Sequence, residues 1–245
     1  MSARPAERSR SAGPFLLIIR FPGRPGKIGA HMSHSVLETI LESKVIAIVR
    51  GIPSGQIGNL ARAIRAGGLR CIEVTFDHAA PGGLEDTLAA IRILRDTDMC
   101  VGAGTVMDPE EVRLAKEAGA SYIISPNTDP AVIRETKSLG MVSIPGAMTP
   151  SEILHADRLG AQFVKLFPAG TLGLKYLKDV RAPISHVSLL ATGGITEDNF
   201  GDFLAAGAAG AGISGRLTDK KCIEAGNFEE LTRRARAFMD IAGRY

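Results

Sequence analysis

From Ser35 onward the sequence alternates short apolar runs with amphipathic stretches, and this alternation leaves few folds open to the chain. The apolar runs cover 45–49, 71–76, 99–103, 122–125, 141–144, 163–167, 187–191 and 208–213. Nearly every position in them is apolar, as expected of parallel strands covered on both faces. Helix-like segments fall at 56–66, 84–95, 109–118, 130–139, 150–159, 176–180 and 197–206, and a longer one spans 228–242. Asp108, Asp129 and Thr149 each precede a proline, which is how a capping residue followed by a first-turn proline reads. Gly67, Gly119, Gly140, Gly160 and Gly207 sit just past helix ends. Strand and helix in strict alternation predict parallel β/α units. Eight units in about 210 residues fit the α/β class and a compact (β/α)8 TIM barrel. A doubly wound open sheet would carry G-x-G-x-x-G after its first strand, where this chain has Arg50-Gly51-Ile52-Pro53.

The 245 residues, 45% hydrophobic and 22% charged, suit a globular domain that needs no disulfide or metal to hold its core. Cys71, Cys100 and Cys222 have no C-x-x-C spacing and read as reduced thiols of a cytoplasmic protein. The five histidines show no zinc-site spacing. Residues 1–31 carry six basic side chains against Glu7, a net +5, so the remainder stands at −2 of the formal +3. The basic balance thus belongs to a tail rich in Arg, Pro, Gly and Ser, read as a disordered extension. The barrel domain is expected over 32–245, and its mildly acidic balance argues against nucleic-acid binding. The tail's one apolar run, Phe15 to Ile19, is far too short to span a membrane.

Active sites of such barrels form where the strands end at their C-termini. Two polar residues stand inside apolar runs near those ends. Lys165 lies in Gln162-Phe-Val-Lys-Leu-Phe-Pro168, whereas the other eight lysines have polar or helical surroundings. Desolvation lowers a lysine's pKa, and the neutral amine is the form that attacks a carbonyl. Glu73 lies in Cys71-Ile-Glu-Val-Thr-Phe76, and alternation puts Cys71, Glu73 and Thr75 on one face. The same rule groups Phe163, Lys165 and Phe167. If both sets face inward, an amine and a carboxylate share the barrel mouth. A buried structural ion pair would look the same in the sequence, but it is costly, and its place at the functional end favours chemistry. Thr192-Gly193-Gly194 ends the seventh run and Ser214-Gly215 the eighth, in the order of a phosphate-cradling pair of loops.

These segments resemble the KDPG/KHG aldolase family, the class I aldolases of 2-keto-3-deoxy-6-phosphogluconate and 4-hydroxy-2-oxoglutarate. The likeness runs from Val45 to the end through seven motifs in order: Val45-Ile-Ala-Ile-Val-Arg-Gly51, Ile72-Glu-Val-Thr75, Val101-Gly-Ala-Gly-Thr-Val106, Ile124-Ser-Pro-Asn127, Ile144-Pro-Gly146, Val164-Lys-Leu-Phe-Pro168 and Thr192-Gly-Gly-Ile195. The resemblance implies that Lys165 forms a Schiff base with a keto acid and that Glu73 moves protons. It implies that Thr105 binds the pyruvyl carboxylate and that Pro126 and Phe167 form a wall against water. Thr192, Gly193, Gly194, Ser214 and Gly215 would hold the distal end of the substrate. It also implies a homotrimer and no metal or organic cofactor.

The chain departs from the gluconate-type pattern twice. Asp77 stands where those enzymes have an arginine, a feature shared with the 2-dehydro-3-deoxy-6-phosphogalactonate aldolases, so Arg50 is expected to take over the anion contact. Ser214-Gly215 reverses the usual glycine-then-serine order. Two rival readings stay open. Another phosphate-binding barrel enzyme, such as a sugar-phosphate isomerase, epimerase or synthase, would not need Lys165 as nucleophile. A non-catalytic metabolite-binding barrel would be favoured if Lys165 or Glu73 pointed outward. The tail lacks a periodic apolar face. A shortened chain starting at Met32 is therefore expected to fold and turn over like the full chain, and loss of folding on thermal denaturation would show that the tail docks.

Overall fold

The computed structural model describes Ser35–Tyr245, so the expected extension at 1–31 lies outside the described residues. The strands are β1 (Val45–Val49), β2 (Cys71–Thr75), β3 (Cys100–Gly104), β4 (Tyr122–Ile124), β5 (Val142–Ile144), β6 (Gly146–Ala147), β7 (Val164–Leu166), β8 (Leu189–Thr192) and β9 (Gly210–Ile213). They form one parallel sheet in the order β5-β4-β3-β2-β1-β9-β8-β7-β6. The eight expected strands appear as nine because β5 and β6 are one strand interrupted at Pro145. β5 pairs with β4, and β6 pairs with β7. Proline has no N–H to continue a ladder. Its carbonyl still accepts from the Lys165 N–H at 2.8 Å, and the Ser143 carbonyl accepts from Gln162 N–H at 3.2 Å. The two sheet edges therefore meet in a nearly closed barrel.

Helices alternate with the strands: α2 (Ser54–Ala66), α3 (Gly83–Arg95), α4 (Pro109–Ala118), α5 (Pro130–Ser138), α6 (Pro150–Arg158), α7 (Ala169–Arg181), α8 (Phe200–Ala205) and α10 (Phe228–Ala242). Asp108, Asp129 and Thr149 cap α4, α5 and α6 as their sequence context predicts. Three helical features differ from the sequence reading. α1 (Val36–Ser43) precedes the first strand, set by a capping box in which Ser35 Oγ accepts from Glu38 N–H at 3.2 Å and the Glu38 carboxylate accepts from Ser35 N–H at 2.8 Å. α7 begins at Ala169 rather than 176, because Gly173 at φ 80° breaks the helix and hides its first turn from a periodicity reading. The short α9 (Lys220–Glu224) is capped by Asp219, whose carboxylate accepts from Lys221 and Cys222 N–H.

Strand alternation splits the core in two. Ile46, Cys71, Tyr122, Ile124, Ile144, Phe163 and Leu190 point into the barrel, and Ile40 of α1 packs among them as a plug. Val45, Ala47, Val49, Ile72 and Val74 point outward and pack under the helices. Two glycines of β3 make room inside. A Cβ on Gly102 would sit 2.1 Å from the Tyr122 ring, and one on Gly104 would sit 2.5 Å from Glu73 Oε1. Gly102→Ala is therefore expected to lose about 1–3 kcal/mol by overpacking, read as a lower midpoint in chemical denaturation. Gly55→Ala, with nothing within 4 Å of the new Cβ, should leave the midpoint unchanged or raised.

Candidate active site

Lys165 of β7 and Glu73 of β2 both point into the barrel, with 8% and 1% of their surfaces exposed. They line one small cavity walled by Ile48, Ile124, Ile144 and Leu190, with Thr192 and Gly212 also lining it. Water is almost shut out, and that governs both ionisations. Burial pushes the Glu73 carboxyl up to about 7, while the positive charges of Lys165 and Arg50 pull the other way. Burial also holds the Lys165 ammonium below its usual pKa. Glu73 opposes that shift and Arg50 adds to it. The Phe167 ring lies 5.1 Å from Lys165 Nζ and favours the ammonium form. The amine and the carboxyl are thereby drawn toward each other in acidity, the condition under which a proton can move between them near neutral pH.

At the mouth, Arg50 follows β1 and Thr105 follows β3. The Arg50 guanidinium donates to Thr105 Oγ1 at 3.1 Å, and Arg50 forms no ion pair among the described residues. Thr105 has φ 58°, a left-handed conformation disfavoured for a β-branched residue, so the surrounding structure holds it there against its preference. Thr192 is buried at the end of β8, and its hydroxyl lies over Gly212, where a Cβ would come within 2.9 Å. Gly193 and Gly194 follow with φ 89° and 74°, and the Gly193 carbonyl accepts from the Gly170 N–H at 2.7 Å. That bond ties the loop after β8 to the start of α7. Ser214 and Gly215, after β9, are exposed and open onto a cleft of about 540 Å³ that they share with Arg50, Lys220 and Lys221.

The two expected wall residues, Pro126 and Phe167, both lie outside the lining of the small cavity. Pro126 does not line the Lys165 cavity. Its carbonyl packs against Gly146, where a Cβ would come within 2.3 Å, and Ile124 is the residue of β4 that reaches the cavity. Phe167 covers Lys165 with one face but remains 42% exposed. Asp77 is committed to its turn, accepting from Ala79 and Ala80 N–H at 3.1 and 3.2 Å. It lines a separate cleft beside the outward-facing Val49 and Val74. Lys220 and Lys221 escape sequence reading because five-residue α9 is too short to show a periodic pattern. Among the described residues no three His, Cys, Asp or Glu side chains are placed to hold a metal ion.

The profile of the KDPG and KHG aldolase family matches residues 36–234, most of the chain. The chain belongs to this family. It is a carbon–carbon lyase, 30% identical over 215 residues to the 2-dehydro-3-deoxy-phosphogluconate aldolase of Haemophilus influenzae, covering 86% of this chain and 99% of that one. It is 34% identical over 175 residues to the 2-dehydro-3-deoxy-6-phosphogalactonate aldolase of Escherichia coli K12, covering 71% and 83%. Its fold is similar to that of KDPG aldolase from Legionella pneumophila, solved with pyruvate captured as a covalent carbinolamine, at a TM-score of 0.75 and 26% identity over 84% of this chain and 98% of that one.

The mouth-facing guanidinium of Arg50 can grip a carboxylate or phosphate with two parallel hydrogen bonds, which a lysine cannot copy. Arg50→Lys in this aldolase is expected to raise KM for acidic substrates by roughly tenfold or more while leaving the thermal midpoint unchanged. An unchanged KM for every acidic substrate tested would make Arg50 a structural tether of Thr105.

Proposed function

We propose that this aldolase reversibly cleaves a 2-keto-3-deoxy or 4-hydroxy-2-oxo acid to pyruvate and an aldehyde through a Schiff base on Lys165. The observation that carries the proposal is the shared cavity: a desolvated amine and a desolvated carboxyl facing one apolar space near the strand ends. Neutral Nζ attacks the keto carbon to give a carbinolamine, which loses water to become an imine. The C3–C4 bond then breaks. Its electron pair moves into the imine to give an enamine, and the C4 hydroxyl loses its proton as the aldehyde forms. Protonation at C3 and hydrolysis of the imine release pyruvate and restore the amine. Glu73 carries these protons through a water, and its place beside Lys165 suits both giving and taking them.

Arg50 and Thr105 hold the keto acid's carboxylate at the mouth. Thr192, Gly193 and Gly194 take the distal end, with Ser214 and Gly215 across the open cleft. No metal or organic cofactor enters this scheme, because the imine itself accepts the electrons. The rival isomerase or synthase reading gives no role to an amine held below its usual pKa. An outward-facing Lys165 or Glu73 would have favoured the non-catalytic reading, and both line the inner cavity. The family resemblance supports a homotrimer. The three cysteines, free in the structure, support a cytoplasmic setting.

The test is kinetic. Lys165→Ala should abolish aldol cleavage, and Glu73→Gln should slow both cleavage and pyruvate C3-proton exchange by about 10²–10⁴-fold. The ionised carboxylate is the form that removes the C3 proton, so exchange should rise with pH through about 7 and be lost below it. Glu73→Gln should erase that acidic limb. Undiminished cleavage by Lys165→Ala would contradict the proposal.

A further inference from the structure

The register of the sheet sets Glu73 of β2, Gly102 of β3 and Tyr122 of β4 in one row across the barrel interior. Gly102 has no side chain to fill its place, and the Tyr122 ring occupies it. A Cβ there would lie 2.1, 2.3 and 2.4 Å from Cε2, Cδ2 and Cζ of that ring. The ring therefore lies across β3, and its hydroxyl, one bond beyond Cζ, is carried toward the side where Cys71 and Glu73 face inward. Among the buried side-chain polar atoms of the described residues, two lack a hydrogen-bond partner: Glu73 Oε2 and the Tyr122 hydroxyl oxygen. One is an acceptor and the other a donor. They lie in the same enclosed interior, and the charges that bear on the Tyr122 phenol after burial are those of Cys71, then Cys100, then Glu73. Buried polar atoms in folded proteins are nearly always paired, directly or through an enclosed water. A phenylalanine would fill the space over Gly102 equally well without the cost of an unpaired hydroxyl.

We propose that the Tyr122 hydroxyl donates to an enclosed water that in turn donates to Glu73 Oε2, making Tyr122 a positioning residue for proton transfer at Lys165. The inference rests on the Schiff-base reading given above. In this arrangement the carboxylate keeps one oxygen fixed from the N-terminal side of the cavity, while Oε1, packed against Gly104, remains for the reacting water. Burial keeps the phenol protonated, so it stays a donor across the working pH range.

Tyr122→Phe in the full chain tests this. With pyruvate and borohydride the variant should still label Lys165 fully, and KM for pyruvate should not change. The ionised carboxylate loses a hydrogen-bonded water, so the acidic limb of pyruvate C3-proton exchange should move up by roughly one pH unit. Exchange at pH 6 should correspondingly fall about tenfold. A limb superimposable on that of the unaltered enzyme would overturn the proposal. Absence of the Lys165 adduct in the unaltered enzyme would instead overturn the Schiff-base reading beneath it. A high-resolution crystal structure of the unaltered enzyme decides the matter independently of the variant. It should show a water within about 3.2 Å of both Tyr122 Oη and Glu73 Oε2, and a dry interior there would refute the relay.

Discussion

An amine and a carboxyl enclosed in an apolar barrel cannot both carry full charge without losing much of their hydration, and their mutual attraction only partly offsets that loss. Glu73 is pushed up to about 7 and Lys165 is held below its usual range, each by burial first and by its partner in the opposing sense. The walls that impose this are ordinary core residues. Ile48, Ile124, Ile144 and Leu190 are buried side chains that double as the desolvating lining. Packing and chemistry therefore rest on the same atoms, and a substitution that let water into the cavity would bring both groups back toward their solution acidities.

The backbone supplies what the side chains need. Gly104 leaves space for the Glu73 carboxyl and Gly102 for the Tyr122 ring, so β3 acts as a recessed wall between two larger groups. The interruption at Pro145 lets one strand serve both sheet edges, and the Pro145 carbonyl fixes the Lys165 N–H directly. The position of Lys165 thus depends on the closure of the barrel itself. On the opposite side of the sheet, α10 and α2 pack together, with α10 also against β1, while α3 packs against β2.

The barrel, its eight β/α units and the grouping of Glu73 with Thr75 and of Lys165 with Phe167 on shared strand faces were legible because all follow from periodicity. An alternation of two in apolar strands fixes which residues share a face. The α6 cap at Thr149 was legible for the same kind of reason, a local pattern with a local cause. What escaped were features decided by long-range geometry. Gly173 interrupts α7 and removed the signal of its first turn. The capping box of α1 was present in Ser35 and Glu38, but its eight residues plug the barrel rather than extend the repeat. Tyr122 read only as a strand residue, since its burial without a partner is visible only when three strands are placed side by side.

The central claim is that desolvation makes Lys165 the nucleophile, and covalent trapping measures it most directly. The full-length protein would be incubated with pyruvate, reduced with borohydride, digested and mapped by mass spectrometry. The account predicts a single reduced pyruvyl group, carried by the peptide containing Lys165 and absent from Lys165→Ala. A pyruvyl group found on any of the other eight lysines, or no adduct at all in an enzyme that cleaves its substrate, would contradict it.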